Sequence, residues 1–391
     1  MNFRQFLIFL TLVSLPLDQV FTSIFPFVPI SPFRGLSILL AFYFIKVNVK
    51  KSEFRGAYLF MYCFILWNFI SMFWASNQED SLLYTFQVLL IFWFSLVCIN
   101  ELVEVKNIKE QLIFYCGVIG GGVSLLAISG VLSVEISSDR RLTFSGIGVN
   151  AVAISIGYYF IIVLSGIFIY KWSKFKMIIL IASTILMFYF LLRTGTRSAI
   201  VGSFAALLIS YPIAFRLDFK SIFKFITLIV IVLFGFFYVM DHFIEGNLSE
   251  RIVNVDSEAF SENSRNALWD TALNYGGSFA LGTGAGNEYI AFDKGTIKEA
   301  HNVFVSSFVQ TGIIGVFLLV LCLLSFVLKM LKMNKGKDFY LLCSLILFYF
   351  IQMLKGSFLQ TRIFWFPLII LGIFYMVNKI NEFNNVKKEN I

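Results

Sequence analysis

The chain has 391 residues, of which 59% are hydrophobic, 18% aromatic and only 14% charged, against roughly a quarter charged in a soluble domain. Forty-eight Phe and a mean hydropathy of +0.84 exclude a water-soluble fold, and 26 Gly with 6 Pro exclude a collagen-like or low-complexity one. The net charge of +8 is read first as membrane topology, so no nucleic-acid partner is expected.

A bilayer core of about 30 Å needs about 20 mostly apolar residues per helix. Twelve such runs are counted, at 5–22, 33–48, 56–76, 82–99, 111–133, 148–170, 176–193, 197–215, 222–240, 303–328, 339–355 and 362–379. The expected fold is therefore all-α, a polytopic membrane protein with about 12 transmembrane helices. The first run lacks a small-residue cleavage site and carries Pro16 and Asp18, so it is taken as a retained span. Cys63, Cys98, Cys116, Cys322 and Cys343 each fall inside an apolar run without CxxC or Cys/His spacing, which fits buried thiols and points to no metal site.

An even number of spans puts both termini on one side, and Lys/Arg counts decide which. Twenty cations lie on the side of the termini and eleven opposite, so both termini are expected in the cytoplasm, in the inner membrane of a bacterium. The chain then divides into nine spans over 1–240, a large extracytoplasmic loop over 241–302, and three spans with a cytoplasmic tail over 303–391. Residue type is more informative. Seventeen of the 20 inner cations are Lys, whereas eight of the 11 outer ones are Arg: Arg34, Arg140, Arg141, Arg193, Arg197, Arg251, Arg265 and Arg362. A guanidinium is weakly hydrated and grips phosphate oxygens with a planar fork. The set therefore suggests a phosphate-bearing ligand on that face. The alternative is snorkelling, pairing with head groups, or balancing acids such as Asp139 and Glu288.

Arg193-Thr194-Gly195-Thr196-Arg197 links two spans through a turn too short to let its arginines wander, which preorganises charge for a bound anion. Residues 241–302 hold ten of the 23 acids and both histidines, and loops of that length are usually functional. Within this loop, Asn263-Ser264 caps an expected short helix to about Tyr275, with Leu268, Trp269, Ala272 and Leu273 on one face and Gly276-Gly277 at its end. That helix should lie along the membrane interface with Trp269 down and Arg265 in its first turn. The Gly282, Gly284 and Gly286 string lacks a preceding strand and is read as a turn without nucleotide chemistry. Gly312 and Gly315 are read as close helix packing. His301 stands immediately before the run from Val303. The positive end of a helix dipole disfavours imidazolium and leaves a neutral ring able to accept a proton, as a general base for a sugar hydroxyl must. The alternative is a boundary histidine bonded to a loop carbonyl.

Thr196-Arg197-Ser198 after a span, Arg141-Leu142-Thr143-Phe144 with Asn150 opening another, a long outer loop, then His301-Asn302 and Gly312-Ile313-Ile314-Gly315 together resemble the bacterial O-antigen ligase and polymerase family over roughly residues 130–330. The resemblance implies an all-helical fold similar to the glycosyltransferase C superfamily, with no cofactor and no metal. It implies an undecaprenyl-pyrophosphate-linked oligosaccharide donor, and a glycan or lipid A core as acceptor, met among membrane lipids on the extracytoplasmic face. By the same resemblance Arg197 and Arg265 hold pyrophosphate and His301 is the essential histidine. Arg141 matches an outer-loop arginine that Arg140 replaces under a one-residue shift, and Arg193 and Arg362 have approximate counterparts. Asn302 is placed with the substrate-binding set as the histidine's neighbour.

The expected activity is metal-independent inverting glycosyl transfer in surface polysaccharide biosynthesis. Polymerase is preferred to O-antigen ligase because nothing in the loop marks a site for a core oligosaccharide. A transporter or flippase for lipid-linked sugars would also use outer arginines. It would ordinarily place Asp, Glu or His at mid-membrane, where these spans have none, and it would often show an inverted repeat, which is not visible. A scaffold for a polysaccharide assembly complex would leave the loop chemistry idle.

Overall fold

A computed structural model describes residues 1–18, 20, 35, 55–132, 134–136, 142–144, 148–215, 223, 226, 230, 265–274, 278–286, 289–292, 296–356, 359 and 361–389. The runs expected at 33–48 and 222–240 lie almost wholly outside the described residues, as do Arg34, Arg140, Arg141, Arg251, Asn263, Ser264 and Gly276-Gly277. Eight helices among the described residues are long and apolar enough to cross a membrane. Each coincides with one of the twelve runs. The first run is interrupted: α1 (Phe3–Ser14) gives way to a 3₁₀ turn, Leu15–Leu17, around Pro16, and Asp18 and Val20 are again helical; the missing N–H of Pro16 cannot continue the ladder.

The chain divides by its internal contacts into two units. The first comprises residues 1–33, 105–255 and 333–352. It holds α1, α4 (Ile108–Ile128), the hairpin of β1 (Val134–Ile136) and β2 (Leu142–Phe144), α5 (Val149–Ile169), α6 (Lys174–Thr194), α7 (Arg197–Ala214) and α10 (Lys337–Met353). α4, α5 and α6 pack on one another, α7 packs on α5, and α1 packs on α4. Small residues set the α4–α6 distance. A Cβ on Gly117 would come within 2.8 Å of Leu180, and one on Gly121 within 2.9 Å of the Ser183 backbone, the close approach that Gly permits between membrane helices. At the end of α1 the carbonyls of Val13 and Pro16 are freed from the ladder. They accept from Tyr159 at 2.5 Å and Ser155 at 2.7 Å, both on α5. The opposite end of α5 is latched by charge. Lys109 of α4 meets Asp338 of α10 at 2.5 Å, and the Tyr170 hydroxyl donates to the other oxygen of the same carboxylate. Burial, then the Asp338 charge, pushes the Tyr170 phenol above its ordinary value, so it remains a donor.

The second unit comprises residues 34–104, 256–332 and 353–391. It holds α2 (Arg55–Ser71) with a 3₁₀ turn Met72–Trp74, α3 (Gln78–Leu102), α8 (Arg265–Asn274), the hairpin of β3 (Tyr289–Phe292) and β4 (Thr296–Glu299), α9 (Val303–Leu331) and α11 (Arg362–Glu389). α9 lies along α2, and α11 lies along α3 and α9. Cys98, Cys116, Cys322 and Cys343 are buried and Cys63 is half-buried, all as free thiols.

Candidate functional site

In the first unit, α6 ends on Gly195 in the left-handed region, at φ 60°, where glycine carries no Cβ penalty. Only Gly195 and Thr196 separate α6 from α7, so both arginines of the short link sit on helices. Arg193 occupies the last turn of α6, where its charge suits the dipole. Its Nε is buried with no hydrogen-bond partner among the described residues. Arg197 is the first residue of α7. A cation there opposes the dipole at a cost of roughly 0.3–1 kcal/mol, so helix stability does not explain it.

The α7 N-terminus also lacks its usual cap. Thr196 makes no side-chain capping bond; its hydroxyl is turned instead to the Asn150 oxygen at 3.4 Å. Ala199 N and Ile200 N donate to the Thr196 carbonyl at 3.1 and 3.2 Å, so it is the N–H groups of Arg197 and Ser198 that no side chain caps, and uncapped N–H groups at a helix start suit a phosphate. Gln352, fully buried at the end of α10, donates to the Ser198 carbonyl at 2.8 Å while its own Oε1 has no partner among the described residues. Asn150, Thr196 and Gln352 thus shape this helix start. Only contacts distant in sequence reveal the role of Gln352, whereas the absence of a productive cap follows from the Thr196–Asn150 pair.

In the second unit, Asn302 caps α9, its side-chain oxygen accepting from Phe304 N at 2.9 Å and Val305 N at 3.3 Å. It is buried, and its oxygen is committed to the helix. His301 precedes it, exposed, at φ 49°. A non-glycine residue in this region carries roughly 1–2 kcal/mol of steric cost, and such strain concentrates at functional positions.

The helix carrying Arg265 departs from the sequence expectation in what its apolar face meets. The Trp269 indole N–H donates to the Ala300 carbonyl at 2.8 Å, and Ala272 is buried with Ala300 and Val309. Leu273 is exposed. The face is fastened to the start of α9 because a half-buried indole N–H needs an acceptor. Arg362 is half-buried at the first position of α11.

The glycine string forms the turn that was expected, and it also docks. Gly312 is not a packing glycine inside a continuous helix: at φ 65°, ψ −169° it breaks α9. A Cβ there would lie 2.2 Å from the Ala280 carbonyl oxygen. The break frees the carbonyls of Val309, Gln310 and Thr311, and in an apolar setting each orphan costs several kcal/mol. Thr283 N and Gly284 N donate to Val309 and Gln310 at 2.8 Å each, Trp67 donates to Thr311 at 2.9 Å, and Ile313 N finds Phe279 O at 3.0 Å. The Gln310 side chain accepts from Gly286 N at 3.0 Å, and Trp74 holds Leu281 O at 3.2 Å. At Gly315 a Cβ would collide with the Thr311 side chain of the same helix, while Trp67 on α2 stands at an ordinary contact distance of 3.4 Å.

Residues 182–320 match the model of the O-antigen ligase family. No curated protein matches the chain. The matched segment is somewhat over a third of the chain, and Arg193, Arg197, Arg265, His301 and Asn302 all lie inside it. Over that segment the chain is similar to the O-antigen ligase family, and its described residues include eight helices long and apolar enough to cross a membrane.

Proposed function

We propose that the protein is a metal-independent inverting glycosyltransferase that polymerises glycan carried on undecaprenyl pyrophosphate, on the extracytoplasmic face of a bacterial inner membrane. The observation that carries the reading is the inclusion of both arginines of the α6–α7 link, Arg265 and His301 in the family-matched segment. The open N-terminus of α7 and the strained backbone of His301 support it.

In the proposed reaction an acceptor sugar hydroxyl gives its proton to the His301 imidazole as its oxygen attacks the anomeric carbon. The bond from that carbon to the pyrophosphate oxygen breaks, and the electron pair leaves with undecaprenyl pyrophosphate. Arg197 and Arg265, assisted by Arg193 and by Arg140 or Arg141, neutralise the developing charge, and fixed cations at that point lower the barrier. Arg362, beside α11's first-turn N–H groups, would hold an outer phosphate or glycan oxygen. Asn302 supports the histidine by holding the start of α9.

Purified protein in liposomes, given the lipid-linked oligosaccharide and free acceptor, tests the class. New glycosidic bonds are expected; transbilayer movement without them would assign a transporter. Deleting the gene and resolving surface polysaccharide on a gel tests the acceptor. A polymerase mutant keeps single capped units, whereas a ligase mutant loses all long chains from the acceptor and accumulates lipid-linked polymer.

A further inference from the structure

Residues Val303–Thr311 form a short helical segment bounded by His301-Asn302 at one end and the Gly312 break at the other. Both ends are tied to the chain that precedes them. Thr283 and Gly284 hold the far end through Val309 and Gln310. At the near end the tie is the Trp269 indole on the Ala300 carbonyl, 2.8 Å away. That carbonyl belongs to the Ala300–His301 peptide. Fixing its direction fixes the plane from which the His301 side chain departs.

We propose that Trp269 is a positioning residue for His301: its indole N–H orients the Ala300–His301 peptide and holds the histidine in its left-handed conformation. Three observations carry this. Ala300 is fully buried and Ala272, one helical position set from Trp269, is buried against it, so the indole cannot swing away without opening a packed contact. His301 is left-handed without being glycine, a state that needs outside support. Arg265 opens α8, four residues before Trp269. The bond that orients the histidine thereby also registers the arginine's helix against the start of α9. The inference rests on the reading of His301 as the base.

The test compares Trp269→Phe, which keeps an aromatic ring and loses the N–H, with Trp269→His, which restores a ring N–H at the equivalent position and loses the second ring. Full-length variants are reconstituted and assayed with undecaprenyl-pyrophosphate-linked oligosaccharide and acceptor sugar, folding being checked by thermal unfolding in detergent. Misplacing a reacting group by about 1 Å costs on the order of a hundredfold. Trp269→Phe should therefore lower kcat between about tenfold and a hundredfold with KM for both substrates unchanged, and Trp269→His should recover most of it. Wild-type kcat in Trp269→Phe, a change confined to KM, or equal loss in both variants overturns the proposal, since bulk and not the bond would then hold the segment. A parallel His301→Asn variant separates the two levels. If it retains full turnover, the base assignment itself falls; if it is inactive while Trp269→Phe is unaffected, only the positioning role falls.

Discussion

At the scale of single residues, the unusual placements are those that helix stability alone would avoid. Arg197 faces the wrong end of a dipole, and His301 has a backbone that only glycine adopts freely. Replacing His301 by Gly should leave the thermal transition at or above that of the wild type, while His301→Val should lower it, β-branching being the least compatible with positive φ. Both should abolish glycan transfer. A scan in detergent beside an activity assay reads the two effects separately. Arg197→Lys keeps the charge and loses the fork. Transfer should fall at least tenfold in this variant without loss of folded protein, and unchanged transfer would remove bidentate grip from the mechanism. The position of His301 before a helix, and the cap beside it, are legible from Ala300-His301-Asn302 followed by an apolar run. Its left-handed backbone is not, because that depends on what holds the Ala300 carbonyl 31 residues from Trp269.

Among the elements, α9 shows how far hydropathy reaches. An uninterrupted apolar stretch reads as one span, and α9 does run from Val303 to Leu331. Apolarity carries no sign of where the ladder opens. Gly312 marks that place only once the loop at 278–286 is seen to supply the missing partners. Gly312→Ala should therefore be costly, since the added carbon meets backbone atoms that cannot rotate away. About 1–3 kcal/mol of destabilisation is expected, visible as a lower melting temperature and easier proteolysis within 278–286. Gly122→Ala is the matched control: nothing lies within 4 Å of its Cβ, and it should melt no lower than the wild type. The α8 helix was legible from its spacing. Its docking against α9 was not, because an amphipathic face does not name the surface that receives it.

For the molecule as a whole, the separation of cations by type is a statement about topology. Lys109 and Tyr170 stand at one end of α4 and α5 in the first unit, with the β1–β2 hairpin and the Arg193–Arg197 link at the other. α5 has 21 residues, so these ends are about 30 Å apart along its axis, one bilayer core. Four native thiols are buried and Cys63 is half-buried, so a Cys63→Ser background makes a membrane-impermeant maleimide a clean probe. Ser278→Cys, at an exposed position, should be labelled from outside intact spheroplasts. Lys335→Cys, also exposed, should be labelled only after permeabilisation. The reverse pattern would put the arginines in the cytosol and sink the proposed chemistry. The spans were readable because eight described helices repeat runs of apolar residues. The assembly of the chain into two units was not, since each draws on stretches far apart in sequence.

The opening in α9 has a consequence for motion. Peptide N–H groups of Thr283, Gly284, Ala285 and Gly286 all end on protein acceptors, although they belong to a turn that would otherwise trade deuterons with solvent in moments. They should exchange slowly and in step with the amides of Val305–Thr311, as one cooperative patch. The turn and the first stretch of the ninth helix would then loosen together, ahead of the helix beyond Gly312.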